Sequence, residues 1–235
     1  MLVIDHLTKH YKGTDKVVTD ISLTVEAGDI YAFIGHNGAG KTTTLKCVTG
    51  ILSYDSGEIY VNGTSVRADP MKTKRDIAYI PDNPDLYDYM TGIRFLNFVG
   101  DIFGVPADVR QEKIRTLGDT FDLTKDLAQP ISAYSHGMKQ KLAVISAWLH
   151  DPKLILMDEP FVGLDPKASH LLKELMREHC DRGGAIFFST HVLEVAEKLC
   201  DEVAIIKSGR LIREGSMDEV RGDESLEAVF LELED

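Results

Sequence analysis

The sequence lacks long apolar segments and paired cysteines. The apolar runs at residues 154–157 and 203–206, for example, hold four residues each, whereas a helix that spans a bilayer needs about 20. The first ten residues alternate apolar with charged side chains and do not resemble a signal peptide. The three cysteines stand far apart without a C-x-x-C pair, which favours reduced thiols over a disulfide or zinc framework. We therefore expect a chain that spans no membrane and stays inside the cell.

Dense clusters of basic residues are also missing. The net charge is −12, and residues 214–235 hold nine acids against the single base Arg221, which leaves −4 for the rest of the chain. Because nucleic-acid backbones are bound by clustered Lys and Arg, we expect no nucleic-acid partner. The acids of residues 214–235 are expected to form a solvated C-terminal face.

Two strand patterns predict two sheets. Ile21, Leu23 and Val25 alternate with polar neighbours, as do Ile59 and Val61, which indicates half-buried antiparallel strands. Four almost wholly apolar segments are typical of parallel strands buried on both faces, namely residues 30–34, 154–157, 185–188 and 203–206. Helical periods separate these segments, and one predicted helix has Asp165 as N-cap and Pro166 in its first turn. Alternating strands and helices predict an α/β fold.

The middle of the chain shows helical spacing and no pattern of a buried strand. In residues 85–127 apolar side chains recur at helical intervals, at Ile93, Leu96, Phe98 and Val99 and again at Val109, Ile114 and Leu117. We expect one domain over residues 1–235. Its antiparallel part and the start of the core would lie in 1–84, a helical subdomain in 85–150, and the remaining core with the acidic tail in 151–235.

Residues 35–42 match the phosphate-loop pattern G-x-x-x-x-G-K-[ST]. They follow the predicted strand 30–34 and open a helix expected to run to about Val48, which disfavours the alternative of a Gly-rich turn without a ligand. Backbone N–H groups would point at phosphate oxygens, Lys41 would reach the β- and γ-phosphates, and the Thr42 hydroxyl would take one magnesium position. The predicted nucleotide-binding residues are Gly35, His36, Asn37, Gly38, Ala39, Gly40, Lys41, Thr42 and Thr43.

Two acids end the predicted strand 154–157. Ligands of open α/β folds bind at the carboxyl edge of the sheet, so Asp158 is expected to contribute to a magnesium shell and Glu159 to orient or deprotonate an attacking water. Their side chains would point to opposite faces and take different roles. His191 follows the next buried strand and could hydrogen-bond the γ-phosphate or the water. The alternatives are two solvated acids and a half-buried structural histidine.

In this order the motifs resemble the nucleotide-binding subunit of ATP-binding cassette (ABC) transporters. Residues 80–82, 134–140, 163–165 and 189–191 stand where the family has its Q-loop, signature, D-loop and switch histidine. The resemblance implies a P-loop NTPase (RecA-like) core with an antiparallel β subdomain and an inserted helical subdomain. It also implies ATP and Mg²⁺ as cofactors, and ATP hydrolysis with Glu159 and His191 as catalytic residues.

The resemblance assigns roles to further residues. Tyr11 would stack on adenine, and Asp82 would join Thr42 and Asp158 at the metal. Ser135, His136 and Gly137 would begin the signature, which in the family completes the site of the opposite subunit. Three residues depart from the family pattern: Asp82 replaces a glutamine, His136 a glycine and Met138 a glutamine.

The resemblance also implies partners. A second copy of the subunit, as a homodimer, would trap two ATP molecules, and a separate transmembrane permease subunit would dock near Asp82, Leu86, Tyr87 and Tyr89. The chain would then lie at the cytoplasmic face of the cell membrane. Residues 134–140 and 225–232 resemble exporters of the drug and bacteriocin-resistance type.

Two other classes of function remain as alternatives at this point. One is a soluble ABC-type ATPase that acts on nucleic acid or ribosomes, although no sustained heptad array is present. The other is a phosphate-loop GTPase or small-molecule kinase. The guanine motif N-K-x-D is absent from the sequence, and a kinase would leave residues 135–137 unexplained.

Overall fold

The structure is a computed structural model that describes residues 1–11, 13 and 17–233. Over these residues the strands are β1 (Leu2–His10), β2 (Val17–Val25), β3 (Ile30–Ile34), β4 (Ser56–Val61), β5 (Thr64–Ser65), β6 (Ile77–Ile80), β7 (Leu154–Asp158), β8 (Ala185–Thr190), β9 (Glu202–Lys207) and β10 (Arg210–Ser216). The α-helices are α1 (Lys41–Val48), α2 (Pro70–Asp76), α3 (Gly92–Ile102), α4 (Ala107–Thr120), α5 (His136–Trp148), α6 (Pro166–Asp181), α7 (Leu193–Leu199), α8 (Met217–Arg221) and α9 (Leu226–Glu232).

The strands form the two predicted sheets. A four-stranded antiparallel sheet has the order β2-β1-β4-β5, and a six-stranded sheet has the order β10-β9-β3-β8-β7-β6. In the larger sheet β6, β7, β8, β3 and β9 are parallel, and β10 joins the edge antiparallel to β9. The four predicted buried strands are confirmed as β3, β7, β8 and β9.

The central strand β3 contributes side chains to both faces of the larger sheet. Ile30, Ala32 and Ile34 belong to a core shared with α3, α5 and α6, whereas Tyr31 and Phe33 pack in a second core with the antiparallel sheet and α1. Because neither face of β3 meets water, every residue in it is buried. The strand therefore has a continuous apolar sequence rather than an alternating one.

The predicted helical segments in residues 85–127 are confirmed as α3 and α4. Leu96, Ile114 and Leu117 face the core, as the spacing predicts. Phe98 and Val109, which fit the same spacing, are instead 37% and 39% exposed. The division of the chain into the three predicted parts stays a prediction.

The predicted helix boundaries next to the site are confirmed. Helix α1 runs from Lys41 to Val48, and Asp165 caps α6 by accepting a hydrogen bond of 2.8 Å from the Ala168 N–H group. Pro166 is the first residue of α6. Backbone N–H groups in the first turn of a helix make no intrahelical hydrogen bond, so proline, which lacks this group, costs none there. Strand β6 is not predicted by the sequence analysis, because its four residues are too few for a periodic pattern.

The predicted solvated acidic face is confirmed for the described part of residues 214–235, where every acidic side chain is exposed. The segment also contributes to the core, which the charge count does not predict. It continues through β10, α8 and α9, and Leu226, Val229 and Phe230 of α9 are buried. The spacing i, i+3, i+4 of these apolar residues gives α9 one face to bury. Glu234 and Asp235 of the predicted tail lie outside the described residues.

Among the residues that the structure describes, no helix has the length and apolar composition that a membrane crossing requires.

Candidate nucleotide-binding site

The phosphate loop connects β3 to α1 and follows the surface of β9 closely. Gly38 and Gly40 have φ values of +85° and +115°, which favour glycine. A Cβ atom on Gly40 would lie 2.9 Å from the Val18 side chain, and one on Gly35 would collide with the Ile206 carbonyl oxygen. The glycines therefore allow the loop to curl against its neighbours, as the motif predicts.

The Lys41 side chain lies under the loop and is 6% exposed. Its Nζ atom donates hydrogen bonds to the carbonyl oxygens of Gly35, at 2.5 Å, and of His36, at 3.3 Å. The same atom lies 3.6 Å from Glu159 Oε1. This buried ammonium group is thus held between the loop and a carboxylate, at the place where the motif puts the phosphate-binding lysine.

Asp158 ends β7 and is 1% exposed. Its Oδ2 atom accepts a hydrogen bond of 2.5 Å from the Thr42 hydroxyl, and its Oδ1 atom accepts one from the Ser189 hydroxyl. A hydroxyl and a carboxylate side by side are oxygen donors of the kind that Mg²⁺ prefers. In the described part of the chain no group of three His, Cys, Asp or Glu side chains could hold a metal. These residues fit a magnesium ion that also takes oxygens from phosphate and water.

Glu159 leaves the strand geometry, with a φ of +48°. Its backbone N–H group donates to the carbonyl oxygen of Ser189 at 3.1 Å and to the Ser189 hydroxyl at 3.2 Å, so the residue stays attached to β8. The predicted opposition of the two acids is therefore wrong: Asp158 and Glu159 line the same cavity. Their contacts differ, since Asp158 contacts Thr42 whereas Glu159 faces Lys41. Their different roles stay a prediction.

The two oxygens of Glu159 have different surroundings. Oε2 lies 2.9 Å from Nδ1 of His191 and accepts a hydrogen bond of 3.3 Å from the backbone N–H group of His191. Oε1 is buried and, among the described residues, has no hydrogen-bond partner apart from the nearby Lys41. The side chain as a whole is 13% exposed. One oxygen is thus held in place while the other retains an unused acceptor beside the lysine.

A cavity of about 450 Å³ brings most of the predicted residues together. It is lined by Tyr11, Val17, Val18, His36, Asn37, Gly38, Gly40, Lys41, Thr42, Thr43, Asp82, Asp158 and Glu159. The Tyr11 hydroxyl is hydrogen-bonded to the Thr43 hydroxyl at 3.1 Å. Val17 and Val18 are lining residues that the sequence analysis missed, since a pair of valines at the start of a strand carries no signal of a ligand.

Asp82 reaches this cavity from the loop that follows β6. Burial, together with the carboxylates of Asp158 and Asp82, raises the pKa of Tyr79, which places both acids near this tyrosine. Asp82 Oδ1 accepts a hydrogen bond of 2.8 Å from the neighbouring Asn83 N–H group. Its carboxylate is therefore the third in the lining of the cavity, beside those of Asp158 and Glu159.

Ser135, His136 and Gly137 are not among the residues that line this cavity. The Ser135 hydroxyl caps α5 by accepting a hydrogen bond of 3.3 Å from the Met138 N–H group. A Cβ atom on Gly137 would lie 2.7 Å from the carbonyl oxygen of Gly163, so the turn packs on the segment 163–165. Lys141 pairs with Asp165 at 2.8 Å, and this hydrogen bond lowers the pKa of Asp165.

The sequence of the chain matches a family model described as ABC transporter over residues 18–162. The chain belongs to the ABC transporter family. This ABC protein is 34% identical over 238 residues to the ABC-type transporter ATP-binding protein EcsA of Bacillus subtilis (strain 168), and the match covers 99% of the chain and 96% of EcsA. An uncharacterized ABC transporter ATP-binding protein of Nostoc sp. is 37% identical over 206 residues, but the chain spans only 61% of its length.

A solved structure gives the same result for the fold. The structure described as the ATP binding subunit of an ABC transporter has a TM-score of 0.95 and 34% identity, and the match covers 100% of both chains. The predicted α/β P-loop NTPase fold is confirmed. This ABC protein is the ATP-binding and ATP-hydrolysing subunit of a transporter, and the GTPase and small-molecule kinase alternatives are wrong.

Proposed function

We propose that this ABC subunit binds Mg-ATP in the cavity beside the phosphate loop, closes around two nucleotides as a homodimer and drives a separate transmembrane permease. The observation that carries the proposal is the contact of Lys41 with both the phosphate loop and Glu159, next to the pair formed by Thr42 and Asp158. These groups supply a cation for phosphate, a candidate base and oxygen ligands within one cavity.

The position of Lys41 supports phosphate binding. Its Nζ atom already lies within reach of two loop carbonyl oxygens, so a triphosphate that enters the loop meets a cation that needs no large movement. The N–H groups of the loop and the N-terminus of α1 add attraction for the negative charge. The Tyr11 ring, which borders the same cavity, offers a face on which adenine can stack.

The two oxygens of Glu159 suit a base for hydrolysis. Oε2 is held by His191, whereas Oε1 has acceptor capacity free to take a proton from water. As the water oxygen bonds to the γ-phosphorus, the bond to the bridging oxygen breaks, ADP leaves with that electron pair, and the proton passes to Glu159. Lys41 stabilises the charge on the phosphate oxygens. Magnesium, held by Thr42 and Asp158 and with Asp82 nearby, would neutralise phosphate charge when bound.

The signature turn supports the homodimer. Ser135 stands at the N-terminus of α5, which is a place suited to an anion, yet the turn does not line the cavity of its own chain. A second copy packed head to tail would bring Ser135, His136 and Gly137 to that cavity. His136 replaces the family's glycine at a point where its ring touches Gly163, so the turn remains backed by the segment 163–165.

The predicted helical subdomain, residues 85–150, offers a surface for the permease. Tyr87 and Tyr89 are 45% and 78% exposed, and the Tyr87 ring contacts those of Tyr89 and Phe98 at 5.8 Å and 5.7 Å between centroids. Exposed aromatic clusters of this kind are typical of protein interfaces. We place the subunit at the cytoplasmic face of the cell membrane, in a transporter that exports its substrate, as the exporter-like residues 134–140 suggest.

The variant Lys41→Ala tests nucleotide binding. We expect it to have no measurable affinity at micromolar ATP in isothermal titration calorimetry, because it removes the buried cation. Lys153→Ala is the matched control, since Lys153 is exposed at the opposite edge of the sheet, before β7. An ATP dissociation constant unchanged in Lys41→Ala would contradict the proposed site.

A separate experiment tests the partner. We expect the chain to co-purify with a multi-span membrane protein from solubilised membranes. Retention on DNA or ribosomes at moderate salt, without such a partner, would instead support the soluble ABC-type ATPase.

A further inference from the structure

Helix α9 contacts the phosphate loop directly. The ring of Phe230 meets the ring of His36 edge-on, with 5.1 Å between centroids and 62° between planes. The carbonyl oxygen of His36 accepts hydrogen bonds from Lys41 Nζ at 3.3 Å and from the Ala39 N–H group at 3.1 Å. Phe230 therefore touches the residue whose backbone helps to hold the phosphate-binding lysine.

Helix α9 is firmly attached to the domain. Leu226, Val229 and Phe230 are 0%, 4% and 8% exposed. Glu197 of α7 accepts hydrogen bonds from the Leu226 N–H group at 3.3 Å and from the Arg221 guanidinium at 3.2 Å. At the other end of α9, Lys207 donates to the carbonyl oxygen of Leu233 at 2.9 Å. The Phe230 ring is thus presented to His36 from a fixed support.

The supports of α9 come from elements that also carry the site. Helix α7 begins at Leu193, two residues after His191, and Lys207 ends β9, the neighbour of β3. On the far side of the phosphate loop, the Gly209 N–H group donates to the Ala39 carbonyl oxygen at 2.9 Å. The loop is therefore supported at Ala39 by a backbone hydrogen bond and at His36 by the Phe230 ring.

We propose that Phe230 is a positioning residue for the phosphate loop. This inference rests on the proposed function. Phe230 acts through His36 to hold the loop in the conformation that receives the triphosphate, so that less conformational entropy is lost when ATP binds. The contact is remote from the water and the γ-phosphorus. Its loss should therefore weaken ATP binding while the turnover number at saturating ATP stays the same.

The variant Phe230→Leu tests this role, because leucine keeps most of the buried volume but removes the ring. We expect the ATP dissociation constant and KM to rise about two- to tenfold, the range that an aromatic pair contributes, at an unchanged kcat. Phe230→Tyr keeps the ring and should restore affinity. Leu231→Ala, on the same helix at a 60% exposed position, is the matched control and should leave KM unchanged.

A double-variant cycle distinguishes positioning from a general loss of stability. In a His36→Ala background Phe230→Leu should cause no further loss of ATP affinity, because the ring pair is already gone. An equal loss in both backgrounds, or a lowered melting temperature with unchanged KM and dissociation constant, would overturn the inference. If Phe230→Leu does not fold, Phe230→Met, which also removes the ring, must show the same two- to tenfold loss, and an unchanged affinity would overturn the inference.

The outcome can be separated from that of the proposed function. Loss of ATP binding in Lys41→Ala together with normal binding in Phe230→Leu would remove only the role of Phe230. Normal binding in Lys41→Ala would remove the proposed site itself.

Discussion

Replacement of Glu159 by glutamine isolates the role of one carboxylate. The glutamine side chain has the shape of the glutamate that it replaces, and its carbonyl oxygen can still accept the hydrogen bond of 3.3 Å from the His191 N–H group. It lacks the negative charge and, with it, the ability to take a proton from water. We therefore expect the fold and nucleotide binding of Glu159→Gln to persist while turnover is lost.

The expected magnitudes follow from the geometry. At the 3.6 Å between Lys41 Nζ and Glu159 Oε1, an effective dielectric constant of about 20 gives a Coulomb attraction of about 5 kcal/mol. The glutamine variant loses this attraction, and the phosphate groups of ATP supply a replacement, so ATP affinity should be equal or higher. Removal of a positioned base lowers kcat by about 10²- to 10⁴-fold, which corresponds to about 3–5 kcal/mol in the activation barrier.

Three measurements check this prediction. Phosphate release gives kcat, calorimetry gives the ATP dissociation constant, and size-exclusion chromatography with ATP reports whether the variant accumulates as a dimer. Glu174→Gln is the control, because Glu174 is an exposed carboxylate of α6 that pairs with His170 on the surface. Its kcat should equal that of the wild type.

The result that would refute the reasoning is a Glu159→Gln variant that hydrolyses ATP at the normal rate. The proton of the attacking water would then go to another acceptor, and the contact of Glu159 with His191 would serve only to stabilise the structure. A variant that loses ATP binding instead would show that the charge of Glu159 supports the loop rather than the reaction.

Two further predictions concern stability. Gly209→Ala should lower the melting temperature by several degrees and weaken ATP binding. Gly209 has a φ of +78°, and an added Cβ atom would collide with the Val17 carbonyl oxygen. An unchanged melting temperature and an unchanged ATP dissociation constant would contradict this steric argument. Burial lowers the pKa of His179 below its ordinary value of 6.5, so the unfolded chain binds its proton more readily and this contribution to stability is lost as the pH falls below 6.5. In urea titrations from pH 7.5 to 5, His179→Gln should show a smaller loss of unfolding free energy than the wild type, and identical slopes would contradict it.

The elements with a strong local signal could be predicted from the sequence. The phosphate loop is one such element. Its backbone conformation requires the glycines, and the binding of phosphate and magnesium requires Lys41 and Thr42. Strand β3 is another, because its burial on both faces makes all five residues apolar. Asp165 and Pro166 mark the start of α6 through their own hydrogen-bonding chemistry.

What could not be predicted depends on contacts between distant residues. Glu159 has a φ of +48° directly after β7, so the rule that side chains alternate along a strand fails there, and no residue pattern in the sequence signals this φ. The contact of His36 with Phe230 joins the phosphate loop to a segment that the charge count presents only as acidic. Strand β6 has too few residues for a periodic pattern, and it is recognisable as a strand only through its pairing with β7, which residues 77–80 alone do not reveal.

The place of β3 in the larger sheet has a consequence for partial unfolding. β3 has hydrogen-bonded neighbours on both sides, β8 and β9, whereas β6 and β10 are edge strands. Edges of a sheet open at a small cost in free energy, while the central strands separate only when the whole domain unfolds. Fraying of either edge strand therefore leaves β3, the strand that precedes the phosphate loop, paired with its native neighbours.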